Sequence, residues 1–175
     1  MRPLWHRLKS GDWLTPERIR AYSLIVLVIG IAAVAVWIGL SKGGIDRNGK
    51  PLGTDFSSFY AAGSMALEGH AAAAYDFALH QAREQQTFGA DTPYYAWLYP
   101  PIFFLIAAPL AWLPYPAALA VWQFGTLALY LAMIGAILRG VRTDSTVRRN
   151  WLLVAIAFPA VLINLGHGQN GFLSA

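Results

Sequence analysis

The 175-residue chain is 57% hydrophobic and 14% aromatic but only 13% charged, has no cysteine, and has a mean hydropathy of +0.44. Soluble domains carry about 25% charged residues, so a water-soluble enzyme is a poor starting point, and disulfide scaffolds, zinc ribbons and thiol enzymes go with the absent cysteines. Thirteen basic residues against nine acidic ones, scattered along apolar sequence, form no phosphate-binding stripe, so the expected partners are membrane lipids and not nucleic acid.

Residues 1–20 are a polar N-terminal segment. Residues 21–40 (AYSLIVLVIGIAAVAVWIGL) hold no charge, and twenty residues at about 1.5 Å each cover the roughly 30 Å core of a bilayer. They form transmembrane helix 1; a signal peptide has a shorter apolar core, of about 7–15 residues, and a small-residue cleavage site. Residues 41–99 are too polar to cross. Phe56, Phe59, Tyr60, Gly63 and Leu67 recur at helical spacing and predict an amphipathic helix at about 56–68, ended by Gly69; a more polar one follows at about 77–88 between Asp76 and Gly89. Both are expected to lie in the membrane interface with their aromatic sides among headgroups, and Tyr94, Tyr95, Trp97 and Tyr99 to form an aromatic belt.

Prolines 100, 101, 109, 114 and 116 break up the next apolar stretch. Residues 100–113 read as an interfacial or re-entrant helix, with a short crossing helix as the alternative, and residues 115–138 as transmembrane helix 2. Residues 139–149 are a basic loop. Residues 150–165 are transmembrane helix 3, short and kinked at Pro159. Residues 166–170 (GHGQN) are a turn, and 171–175 start a further apolar helix that stops without a cap, so the chain is expected to be a fragment of a longer protein.

Basic residues set the orientation. Arg2, Arg7, Lys9, Arg18 and Arg20 stand against Asp12 and Glu17 before the first span, whereas residues 41–98 hold four basic and six acidic side chains; residues 139–149 hold four arginines and one aspartate. The N-terminus and the 139–149 loop are therefore expected inside, and the 41–99 loop and the 166–170 turn outside.

Few residues carry chemistry. Asp55, just before the first amphipathic helix, reads as an N-cap or, at a bilayer surface beside an aromatic face, as a general base. Asp76 reads as a cap. His167, Gln169 and Asn170 make a helix-linking turn or face a cavity or partner, since polar groups at membrane depth are costly. Tyr99-Pro100-Pro101 reads as a helix start. His70 and His80 have no ligand-spaced companion, so no metal is expected.

In order, Thr54-Asp55-Phe56 with Tyr60 and Ala61, Leu67-Glu68-Gly69, Ala74-Tyr75-Asp76, Tyr99-Pro100-Pro101, Pro109-Leu110, Leu113-Pro114 and Gly168-Gln169-Asn170 resemble the N-terminal part of polyprenol-phosphate-sugar-dependent glycosyltransferases of the GT-C superfamily. The resemblance is to the bacterial alpha-1,2-mannosyltransferase-like family and runs from about Ala21 to Ala175. It implies an all-α integral membrane protein with GT-C-like transmembrane helices and juxtamembrane helices in a long first outer loop. It also implies a polyprenyl-phosphate-linked sugar as donor, with no cofactor or metal, and a glycolipid or glycan hydroxyl as acceptor. Transfer would proceed with inversion, Asp55 acting as general base and Tyr60, Tyr99, His167, Gln169 and Asn170 binding substrate. By the same resemblance, three spans are too few to enclose the site, and the fragment alone is expected to be inactive. The competing readings are a transporter or flippase fragment, which would carry more polar groups within its spans, and an assembly subunit for which the loop helices are a docking surface.

Overall fold

The computed structural model describes residues 9–11, 13–141 and 144–174; the charge assignments to Arg2, Arg7, Asp12 and Arg142, and the chain end at Ala175, lie outside the described residues. The protein is all-α. Among the described residues, β structure is limited to isolated bridges of Ile45 with Lys42 and Pro51. The chain forms two compact units, one of Met1–Ala32 with Leu131–Leu162 and one of Ala33–Tyr130 with Ile163–Ala175.

Two helices are long and apolar enough to cross a membrane, α1 (Pro16–Gly39) and α5 (Tyr115–Gly140). Between them lie α2 (Thr54–Leu67), α3 (Phe77–Phe88) and α4 (Phe104–Ala111); after them come α6 (Ser145–Ala157), α7 (Pro159–His167) and the single turn α8 (Gly171–Ser174). Helices α6 and α7 qualify together as a third apolar span, bent by 44°. The bend has a local cause: Pro159 lacks an N–H and its ring crowds the preceding turn, so Phe158 adopts φ −62°, ψ 128° instead of helical angles. The basic loop expected over 139–149 is shorter, because α5 runs through Gly140 and the Asp144 carboxylate caps α6 by accepting from the Val147 amide at 2.8 Å.

In the first unit, segments of α1, α5 and α7 accompany α6, and their apolar side chains are mostly exposed: Val28 and Ile29 are each 63% accessible and Met133 is 63%. In water that surface would be destabilising; around lipid it is the expected exterior.

The second unit holds the aromatic core. Phe56 and Phe59 on α2 are 0% and 2% exposed and pack with Trp97, Ala107, Ala118 and Trp122. Phe59 meets Trp97 edge-on at 5.0 Å, Tyr99 at 4.6 Å and Trp122 at 4.9 Å. This corrects the expectation that the aromatic face of α2, and Trp97 with it, lies among headgroups. The aromatic face of α2 is covered by the chain's own residues 97–122, and Trp97, at 3% exposure, is core. An amphipathic period shows that a face is buried without saying whether lipid or protein buries it.

Residues 100–113 start as a 3-10 turn, Pro101–Phe103, and continue as α4 with Pro109 inside. The eleven residues Pro101–Ala111 are apolar and span under about 20 Å, too little to cross a bilayer core alone. α4 packs closely on α2: a Cβ on Gly63 would lie 2.2 Å from the Ala107 carbonyl oxygen.

Candidate active site

The site is built at the first turn of α2, within the second unit. Gly53 precedes the helix at φ 70°, ψ 60° and supplies no side-chain cap, so the helix starts at Thr54 with Asp55 in its first turn. The N-cap reading of Asp55 is thereby corrected. Asp76 does cap, accepting from the Leu79 amide at 3.0 Å. The Asp55 carboxylate is half-buried and, among the described residues, makes no hydrogen bond or ion pair. An acidic group in the first turn of a helix is favoured by the N-terminal dipole, and this one keeps both oxygens available.

The 166–170 turn comes onto this same helix start. Thr54 Oγ1 and His167 Nδ1 are 2.9 Å apart. Gly168 sits at φ 68°, where a Cβ would fall 2.7 Å from Phe56 Cβ and 3.4 Å from Gly53 Cα, so only glycine allows the turn to lie this close. Two residues of α5 hold it from the other side: Trp122 Nε1 donates to the Gly168 carbonyl at 2.9 Å, and Gln123 Nε2 donates to the Leu165 carbonyl. Asn164, 7% exposed, closes the loop, its carbonyl accepting from the Gln169 amide at 3.2 Å and its Oδ1 from the Gly171 amide at 3.1 Å. In the sequence, Gln123 and Asn164 are isolated polar residues within apolar spans. Their pairing with the turn has no local signal, because it depends on contacts more than forty residues apart for Gln123.

Tyr99 and Tyr95 border the site from the extended segment that precedes α4. Burial, then the negative charge of Asp55, pushes the Tyr99 phenol above its ordinary value. Tyr95 is raised by burial first and by the charges of Glu84, Asp55 and Asp46. Both phenols therefore stay protonated as hydrogen-bond donors at neutral pH. Tyr60 stands apart. Its hydroxyl donates to the Leu113 carbonyl at 2.9 Å and its ring crosses Tyr115 edge-on at 5.2 Å, and five residues along a helix turn it about 140° from Asp55.

The extended segment is held by His80, for which the sequence offered no role, and by Glu84, which the sequence did not single out. His80 and Glu84, four apart on α3, are both fully buried. Glu84 Oε2 accepts from the Tyr95 amide at 3.0 Å, and His80 Nε2 lies 3.2 Å from Ser58 Oγ and 3.7 Å from Glu84 Oε1. Their i, i+4 spacing was the available signal. Of the cations in residues 41–98, Arg83 is committed to a two-pronged pair with Glu68, which holds the Glu68 carboxyl below its ordinary value through the hydrogen bond. No group of three or more potential metal ligands occurs among the described residues.

Residues 97–175, under half of the chain, match the family model for glycosyltransferase family 87. The matched span holds Tyr99 and the 166–170 turn and begins after Asp55. It supports a membrane glycosyltransferase of the GT-C type. No curated protein and no solved structure matches the chain.

Proposed function

We propose that the protein is a polyprenyl-phosphate-sugar-dependent glycosyltransferase of the mannosyltransferase type, with its site on the outer face of a bacterial plasma membrane and Asp55 as general base. The observation that carries this reading is the seating of the 166–170 turn on the first turn of α2, linked by Thr54 and His167 at 2.9 Å beside an uncommitted carboxylate. In the reaction, the acceptor hydroxyl gives its proton to Asp55 as its oxygen bonds to the anomeric carbon from the face opposite the leaving group. The bond from that carbon to the phosphate oxygen breaks, its electron pair leaves with the polyprenyl phosphate, and the configuration inverts. His167 is suited to meet the phosphate, and Gln169, Asn170 and the protonated Tyr99 to hydrogen-bond sugar hydroxyls. Tyr60 acts from a distance, fixing Leu113 behind the site. The acceptor is a glycolipid or glycan hydroxyl.

The docking-subunit reading has less support, because the aromatic face that would dock is filled by the core of the second unit.

The test is sugar transfer by the full-length protein in membranes, comparing Asp55→Asn with the parent. Because Asp55 caps nothing, the variant is expected to insert and fold normally while transfer falls by roughly 10²–10⁴-fold, the usual contribution of a general base. Transfer within threefold of the parent would overturn Asp55 as the base.

A further inference from the structure

We infer that the first unit carries an anionic phospholipid in a groove between α5 and α6. The groove has a volume of about 620 Å³ and is lined by Leu131, Ala132, Gly135 and Arg139 of α5 and by Arg149, Leu152, Leu153 and Ile156 of α6. That volume lies in the range of small-molecule sites, about 300–1,000 Å³.

Polarity divides the groove along its length. The two arginines enter the lining from one end, beside the connection between α5 and α6; Leu131, Ala132, Leu152, Leu153 and Ile156 make apolar walls. Leu131 to Arg139 is eight residues, about 12 Å along the helix, so the apolar part extends into a segment that qualifies as a membrane span. Gly135 leaves the floor open, and Arg139 Nη1 comes within 4.0 Å of where its Cβ would be. The guanidinium thus reaches back one turn toward the groove. The ion pairs among the described residues, His80 with Glu84 and Arg83 with Glu68, leave both groove arginines unneutralised. Asp144, the only acidic residue between 131 and 162, already caps α6.

Two uncompensated cations at the membrane-boundary end of an apolar channel fit one chemistry, a phosphate headgroup with its acyl chain lying along the walls. Each arginine near a membrane surface adds attraction for anionic lipid, and guanidinium binds phosphate in a two-pronged fashion. A further transmembrane helix would fill the apolar walls but, without carboxylates of its own, leave the charges unpaired. By the charge bias of the sequence, the lipid belongs to the inner leaflet. The site shares no residue with the Asp55 cluster, so it stands or falls separately from the glycosyltransferase reading.

The experiment uses the full-length protein, extracted in mild detergent and titrated with phosphatidylglycerol, phosphatidylcholine or inorganic phosphate, with bound lipid counted by native mass spectrometry. Phosphatidylglycerol is expected to remain bound as one molecule per chain, on the order of tenfold more tightly than phosphatidylcholine, and inorganic phosphate is expected not to displace it. The double variant Arg139→Gln/Arg149→Gln loses that preference, whereas Arg139→Lys/Arg149→Lys keeps most of it and shows that folding is intact. Leu153→Trp, which fills the apolar wall and leaves both arginines, is expected to weaken binding by a similar factor. Equal retention of both lipids, displacement by inorganic phosphate, indifference to Leu153→Trp, or a groove closed by a second copy in a stable dimer would each overturn the proposal.

Discussion

Gly168 shows what a single position contributes. Its φ of 68° and the 2.7 Å approach to Phe56 Cβ mean that an alanine would be strained twice, by its backbone conformation and by contact. Gly168→Ala is expected to lower stability by about 1–3 kcal/mol and to separate His167 from Thr54, with transfer falling in parallel. Gly166→Ala is the control. Gly166 lies within α7 with open space at its Cβ position, so alanine there is expected to be neutral or slightly stabilising. Thermal unfolding followed by tryptophan fluorescence compares the two, and equal midpoints would remove the steric argument. Asp55 illustrates the opposite case. It acts through what it leaves unbonded, and the helix start is set instead by Gly53.

Among the elements, α2 is the one that organises the second unit. One face carries Phe56 and Phe59 into the aromatic core, and Gly63 lets α4 approach until backbone meets side-chain position at 2.2 Å. Gly63→Ala therefore forces α2 and α4 apart, since the atom it meets is a carbonyl oxygen that no rotamer change can move. The expected cost is about 1–3 kcal/mol, seen as faster hydrogen exchange of the α4 amides with α6 unaffected. Uniform acceleration in both helices would instead indicate global loosening. α3 works differently. Glu84 Oε2 accepts from the Tyr95 amide and His80 Nε2 lies beside Ser58 Oγ, tying the extended segment to α3 and α3 to α2, while the Tyr75 hydroxyl donates to the Tyr99 carbonyl at 2.8 Å; together these hold Tyr95 and Tyr99 in place.

For the whole molecule the testable property is orientation. Residues 1–175 contain no cysteine, so a single cysteine introduced there is compared with the unsubstituted parent as background. With the N-terminus inside, Asp91→Cys and Gln169→Cys are expected to react with a membrane-impermeant maleimide added to intact cells. Ser145→Cys is expected to react only after permeabilisation. The reverse pattern would place the Asp55 cluster on the inner face and remove the outer-face glycosyltransferase reading.

Apolar periodicity and length were enough, read along the chain, to establish an all-α membrane protein, because a twenty-residue uncharged run has few physical alternatives. Proline chemistry likewise marked the break at Pro159. The residues 54–55 and 166–170 were legible as unusual, but their meeting was not. It depends on Trp122, Gln123 and Asn164 holding a turn more than a hundred residues distant from Thr54, and on glycines that admit close backbone approach. The burial of Phe56 and Phe59 against Trp97 and Trp122, in place of lipid headgroups, was also decided only by tertiary structure. A hydrophobic face is equally satisfied by lipid or by protein, and only the packed fold determines which one covers it.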